Sequence, residues 1–206
     1  MDQKELQAPC IRPPDGPHSR YFPNVVVITH ESRRALFYED LLRGKTAMIH
    51  FLATRDAGAP LLARNLAAVQ PYLGDRLGRD VFIYSITTDP LHDTPAVLES
   101  FAARFQAQPG WLFLTGDAGA MELLKSRLFA AAVHHHGSQE EDCSLGMLRY
   151  GNEAAGLWGT APINSPPESI AQRISWVASR PAPEAWTFSR RGPAPLSASV
   201  LRGGRQ

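Results

Sequence analysis

One short region of this sequence gathers the side chains that could hold a soft transition metal. His134, His135 and His136 stand together, and Cys143 follows seven residues after the last of them. Imidazoles joined by a thiolate suit copper or zinc. Three consecutive side chains of an extended segment alternate in direction, so at most two of the histidines can converge on one point. The intervening GSQEED is polar throughout, and an exposed polar loop beside a small buried cysteine is the competing reading. The other cysteine, Cys10, lies in the Pro-rich QAPCIRPPDG, too remote in character and position to imply a disulfide framework.

The acidic residues offer less. Asp89, Asp93 and Thr94 could form a carboxylate pair for acid–base work, but an Asp-Pro turn followed by a Thr-Pro helix start uses these residues for backbone bonding alone, and that is the expectation. Asp56 beside Arg55 is a hard carboxylate, a poor partner for Cu(I); a local ion pair or a helix cap is expected there. His50 falls in an apolar strand pattern, where a hydrogen-bonded histidine of core or surface is expected, and His92 is isolated.

The elements that must position these groups alternate between two periods. Val25–Thr29, Ala35–Tyr38, Thr46–Ala53, Val81–Thr87, Trp111–Thr115 and Gly146–Tyr150 are rich in Val, Ile, Leu, Phe and Tyr and read as strands. Leu62, Leu66, Val69 and Leu73 fall at helical spacing after Pro60, with Pro71 expected to kink or end that helix. Thr94-Pro95 opens a second helix with Leu98, Phe101 and Phe105 on one face, and Asp117 a third with Met121, Leu124 and Leu128. Ser165, Pro166, Pro167 and Glu168 form a capping-box pattern before Ile170, Ile174 and Val177. Phe101, Phe105, Trp111 and Phe113 are core candidates. Two early strands joined by HESRR, then alternating strand and helix, then a strand pair and a closing helix, predict an α/β fold: a mixed sheet with helices on both faces and an N-terminal β-hairpin. Chemistry in such sheets gathers where a strand gives way to a helix, here Thr54–Pro60.

The 206 residues suffice for one domain, placed at 21–179 between a tail of residues 1–20 and another of 180–206 rich in Pro, Gly, Ser and Arg. A formal net charge of +1 gives no field that would select nucleic acid or an anionic membrane. No run approaches the roughly 18 apolar residues of a spanning helix. The opening MDQKELQAPCIRPPDG lacks the apolar centre of a secretory signal, so the sequence as given reads as soluble and untargeted.

Several segments together, spread over residues 21–178, carry a family likeness: Leu41–Lys45 ahead of the central strand, Asp89-Pro90-x-x-Asp93-Thr94-Pro95 after the next, Leu114-Thr115-Gly116, and Gly146-Met147-Leu148-Arg149. The sequence resembles the SCO/SenC family of copper chaperones. That resemblance implies a thioredoxin-like fold, usually tethered outside the cytoplasmic or inner mitochondrial membrane, and copper(I) as the family ligand, delivered to the binuclear centre of cytochrome c oxidase; some members act as thiol reductants. It also implies a metal site made of Cys-x-x-x-Cys-Pro at the end of the central strand and one later histidine, a set whose thiolates select Cu(I) or cycle as a disulfide.

Against that pattern this sequence departs at every ligand. The stretch reads Arg55-Asp56-Ala57-Gly58-Ala59-Pro60, one residue short and without a thiol, and Ser144 falls at the histidine position with Cys143 beside it. Pro60 keeps the motif's proline. The expectation is therefore a non-catalytic relative with no cofactor, acting if at all as a partner-binding module whose partner, by resemblance, is a respiratory oxidase subunit or a copper protein. The alternative is a rewired Cu(I) chaperone using Cys143 with His134–His136. A thiol-disulfide oxidoreductase is the weakest reading, since no cysteine stands near the helix start.

Overall fold

A computed structural model describes residues 21–129 and 146–178. Cys10, His134, His135, His136, Cys143 and Ser144, and both terminal tails, lie outside these residues. Among the described residues seven strands form one mixed sheet: β1 (Val26–Thr29), β2 (Arg34–Leu36), β3 (Thr46–Leu52), β4 (Val81–Thr87), β5 (Trp111–Gly116), β6 (Met147–Asn152) and β7 (Leu157–Pro162), in spatial order β2-β1-β5-β4-β3-β6-β7. β3, β4 and β5 run parallel, with His50 opposite Ser85 and Leu52 opposite Thr87; β1 and β2 make the expected antiparallel hairpin at one edge, and β6 and β7 another at the opposite edge.

Two cores follow from the alternation of the strands. On one face Met48, Leu52, Ile83, Trp111 and Phe113 pack under α1 (Ala59–Leu73), α2 (Pro95–Arg104) and α4 (Pro167–Ala178). On the other, Ala47, Ile49, Phe51, Tyr84 and Leu114 pack under α3 (Ala118–Phe129) and a π-helical turn, Phe37–Leu42. β3 is buried on both sides over its whole length, as its near-continuous apolar run requires.

The second strand run ends earlier than its composition predicts. Phe37, Tyr38, Leu41 and Leu42 are all buried and lie at helical spacing, so the chain coils there to place all four in the core. β7 is not among the six strand runs because Gly159, Ala161 and Pro162 weaken its β signal; an edge position tolerates them. α1 does not stop at Pro71 but runs on to Leu73. Pro71 cannot donate to the Ala67 carbonyl, and the buried Gln70 side chain supplies the missing donor at 3.5 Å while its Oε1 accepts from the Gln108 N–H at 2.7 Å.

Helix starts mostly follow the sequence. Thr94 Oγ1 accepts from the Val97 N–H, and Asp117 Oδ1 accepts from the Gly119 and Ala120 N–H groups. The capping box at α4 does not close. Glu168 accepts a hydrogen bond from the Tyr72 hydroxyl of α1, and the Ser165 N–H goes to the Pro162 carbonyl. Two loops meet at Gly78 and Gly110, both at positive φ, where a Cβ on Gly110 would stand 2.2 Å from the Gly78 nitrogen.

Candidate functional site

β3 and β4 end side by side, and the turns that follow them, 53–58 and 88–94, form one corner of the molecule with the N-termini of α1 and α2. The centre of the corner is Asp93. Its carboxylate is fully buried. Oδ2 accepts from the Thr54 N–H at 3.1 Å and from the Thr87 hydroxyl at 2.5 Å, and Oδ1 accepts from the Thr54 hydroxyl. Thr87 Oγ1 in turn accepts from the Asp89 N–H at 2.9 Å. One carboxylate thus ties the ends of two parallel strands to the loop that starts α2.

Asp93 and Asp89 therefore do more than the backbone bonding expected of them. Asp89 pairs with Arg55 at 3.0 Å across the two turns. This also corrects the expected local pairing of Arg55 with Asp56. The Asp56 carboxylate makes no hydrogen bond among the described residues, and it does not cap α1, whose N-cap is Gly58; its backbone takes part instead, the N–H donating to the Ala53 carbonyl and the carbonyl accepting from the Ala59 N–H, each at 3.0 Å. Thr94 is the cap predicted for α2, and His92 is exposed. Ala59 is buried and Pro60 sits in the first turn of α1, so the helix start is built from apolar residues.

Deeper in the same sheet face lies a polar cluster of the core. His50 Nε2 is 2.5 Å from Ser85 Oγ, which also accepts from the Trp111 indole N–H at 2.8 Å. His50 Nδ1 has no hydrogen-bond partner. Burial pushes the pKa of this imidazole down to about 4, so it stays neutral at neutral pH. His50 is a core histidine, as its strand pattern predicts.

Two open grooves flank the turn. One, of about 410 Å³, is bounded by Leu52, Ala53, Asp56–Ala59 and Leu62; the other, of about 430 Å³, runs along α2 from Thr54 to Arg104. Leu91, between the strand and α2, is 89% exposed, and Leu61 at the start of α1 is 55% exposed.

Apart from the single exposed imidazole of His92, the donors at this corner are hydroxyls, carboxylates and one paired guanidinium. These hard groups do not fit a cuprous ion, which asks for thiolate or imidazole, and among the described residues no three His, Cys, Asp or Glu side chains cluster as a metal set. Where Cys143, Ser144 and His134–His136 stand relative to the corner falls outside the described residues; the family-like Gly146–Arg149 leads into β6. Sequence reasoning missed the Thr54–Thr87–Asp93 knot. Its signal was a threonine at the end of β4 and another two residues beyond β3, each closing a mostly apolar parallel strand.

A mixed sheet with this parallel centre, antiparallel edges and helices on both faces is of the thioredoxin-like class. The chain belongs to the SCO1/SenC family, whose model matches residues 31–179. Solved structures share the fold: a SCO1/SenC family lipoprotein from Bacillus anthracis (17% identity, TM-score 0.61, 76% of this chain and 94% of that one covered) and yeast Sco1 with copper bound (20%, 0.60, 77% and 93%). BsSco, described as having a disulfide switch and as a member of the Sco family of cytochrome c oxidase assembly proteins, is similar as well (18%, 0.59, 76% and 92%). No curated protein matches the sequence. No helix of the described residues is long and apolar enough to cross a membrane.

Proposed function

We propose that this chain is a member of the family that has given up copper transfer and thiol exchange and keeps the scaffold as a partner-binding module. One observation carries the reading: Thr54 and Arg55, which open the turn after β3, are spent on holding the corner together. Thr54 is bound to Asp93 and Arg55 to Asp89, while Ala59 and Pro60 start the helix. Residues 54–60 contain no sulfur. Without a thiolate at the helix start there is neither a soft ligand nor a nucleophile for disulfide exchange. What remains is a rigid corner with exposed Leu91 and Leu61 and two grooves, the kind of surface a partner protein can use. Copper-bound relatives and a relative named for cytochrome c oxidase assembly make a respiratory oxidase subunit or a copper protein the partner class to test first, and the lipoprotein relative makes a tethered setting outside the cytoplasm the compartment to test.

Anaerobic competition for Cu(I) against a chromophoric chelator, with insulin reduction run in parallel, tests this. The full-length chain is expected to take no stoichiometric copper and to reduce no insulin. Stoichiometric binding that vanishes in Cys143→Ala would replace the proposal with a chaperone rebuilt on Cys143 and His134–His136. Binding that survives Cys143→Ala, or measurable insulin reduction, would overturn it as well.

A further inference from the structure

The groove beside α2 has a chemistry of its own. Ala96, Ser100 and Arg104 follow one another at four-residue spacing along the exposed side of the helix, and Val97 and Phe101 make the apolar floor beside them. Thr54 closes the end nearest the corner. Its hydroxyl proton is committed to Asp93, and the Ser100 hydroxyl proton to the Ala96 carbonyl at 3.0 Å, so each oxygen can serve the groove only as an acceptor. Arg104 closes the far end. Its guanidinium carbon lies 5.7 Å from the ring centroids of both Phe101 and Phe105, which fixes the orientation of the charge. Unlike Arg55, it has no carboxylate within ion-pair distance among the described residues.

An apolar floor, two acceptors and one oriented, unpaired cation complement a specific occupant. Residues 96 to 104 span about 12 Å of helix, the length of about four residues of extended chain. Backbone N–H groups would meet the two hydroxyl oxygens, a small apolar side chain would meet Val97, and a carboxylate would meet Arg104. We infer that this groove docks an extended segment of a partner protein that carries an aspartate or glutamate, with the carboxylate seated on Arg104. The inference rests on the partner-binding reading and names the chemistry of the partner.

The test uses the full-length chain and three hexapeptide libraries that are random except for a fixed Glu, Gln or Lys. Glu peptides are expected to be retained about fivefold over Gln peptides, the scale of one partly exposed ion pair. Arg104→Glu is expected to invert the order in favour of Lys, whereas Arg173→Glu on α4 leaves the selection as it was. Unchanged thermal unfolding of both variants establishes that they fold, as substitution at exposed positions predicts. Equal retention of Glu and Gln, a Glu preference that survives Arg104→Glu, or no retention at all would overturn the inference. Retention that depends on Leu91 or Leu61 but ignores Arg104 would sink the acidic segment and leave the partner-binding reading standing; the copper titration decides that reading separately.

Discussion

Removing the Asp93 carboxylate should loosen the whole corner, and the structure sets the size of the effect. Asp93→Ala strands three donors at once: the Thr54 N–H, the Thr54 hydroxyl and the Thr87 hydroxyl. A buried polar group left without a partner costs about 1–3 kcal/mol. The two hydroxyls can rotate toward other acceptors, so each sits at the low end, while the Thr54 N–H has no such freedom. The sum is about 4 kcal/mol, a large share of the 5–15 kcal/mol typical of a folded domain. Urea unfolding followed by tryptophan fluorescence gives the value. Thr87→Val removes one arm and should cost about 1–2 kcal/mol, since it also leaves the Asp89 N–H unpaired. The double variant should then cost less than the two single losses added together, because the Thr87–Asp93 bond is lost only once. A cost below about 1 kcal/mol for Asp93→Ala, or strict additivity with Thr87→Val, would refute the claim that this carboxylate ties the two strands to the α2 loop.

Other consequences are as direct. His50 ionises near 6.5 when unfolded and near 4 when folded, so the unfolded chain binds the extra proton first; stability falls as pH drops through 6.5 and the loss levels off below 4 at about 3 kcal/mol. His50→Gln, which keeps a polar contact for Ser85, should remove that part of the acid limb, and superimposable pH–stability curves for the two proteins would contradict it. Gly110→Ala should cost about 3 kcal/mol through its collision with Gly78, whereas Gly44→Ala, at positive φ but with open space around it, should cost about 1 kcal/mol; urea midpoints decide, and equal costs would refute the clash. Gln70→Leu should cost about 2 kcal/mol by removing the partner of the Ala67 and Gln106 carbonyls and of the Gln108 N–H, and adding Pro71→Ala should restore about 1 kcal/mol by returning a helical donor to Ala67.

Much of the architecture was legible because burial imposes period. β3, buried on both faces, reads as an apolar run interrupted only by His50 after its first threonine, and Leu66, Val69 and Leu73 mark the inner stripe of α1. Thr94 and Asp117 announce their helices by cap chemistry that needs no tertiary information. What escaped the sequence depends on partners far along the chain. Pro71 reads as a kink or stop signal because the residue that rescues its missing donor is a side chain, Gln70, whose other bonds reach Gln106 and Gln108. Glu168 reads as half of a capping box because nothing local shows that Tyr72 would take it. At the candidate site, the vacancy of thiols between Thr54 and Pro60 was plain, but the roles of the residues present were not. Thr54, Thr87 and Asp93 lie up to 39 positions apart and meet only because two parallel strands end in register.

The proposed absence of metal and redox chemistry at the turn after β3 is open to a direct measurement. Amide NMR of the full-length chain, under nitrogen, before and after one equivalent of Cu(I), interrogates that corner residue by residue. Unchanged signals are expected for Thr54–Ala59 and for the non-proline residues of Thr87–Thr94. Saturable shifts confined to those amides would contradict the proposal.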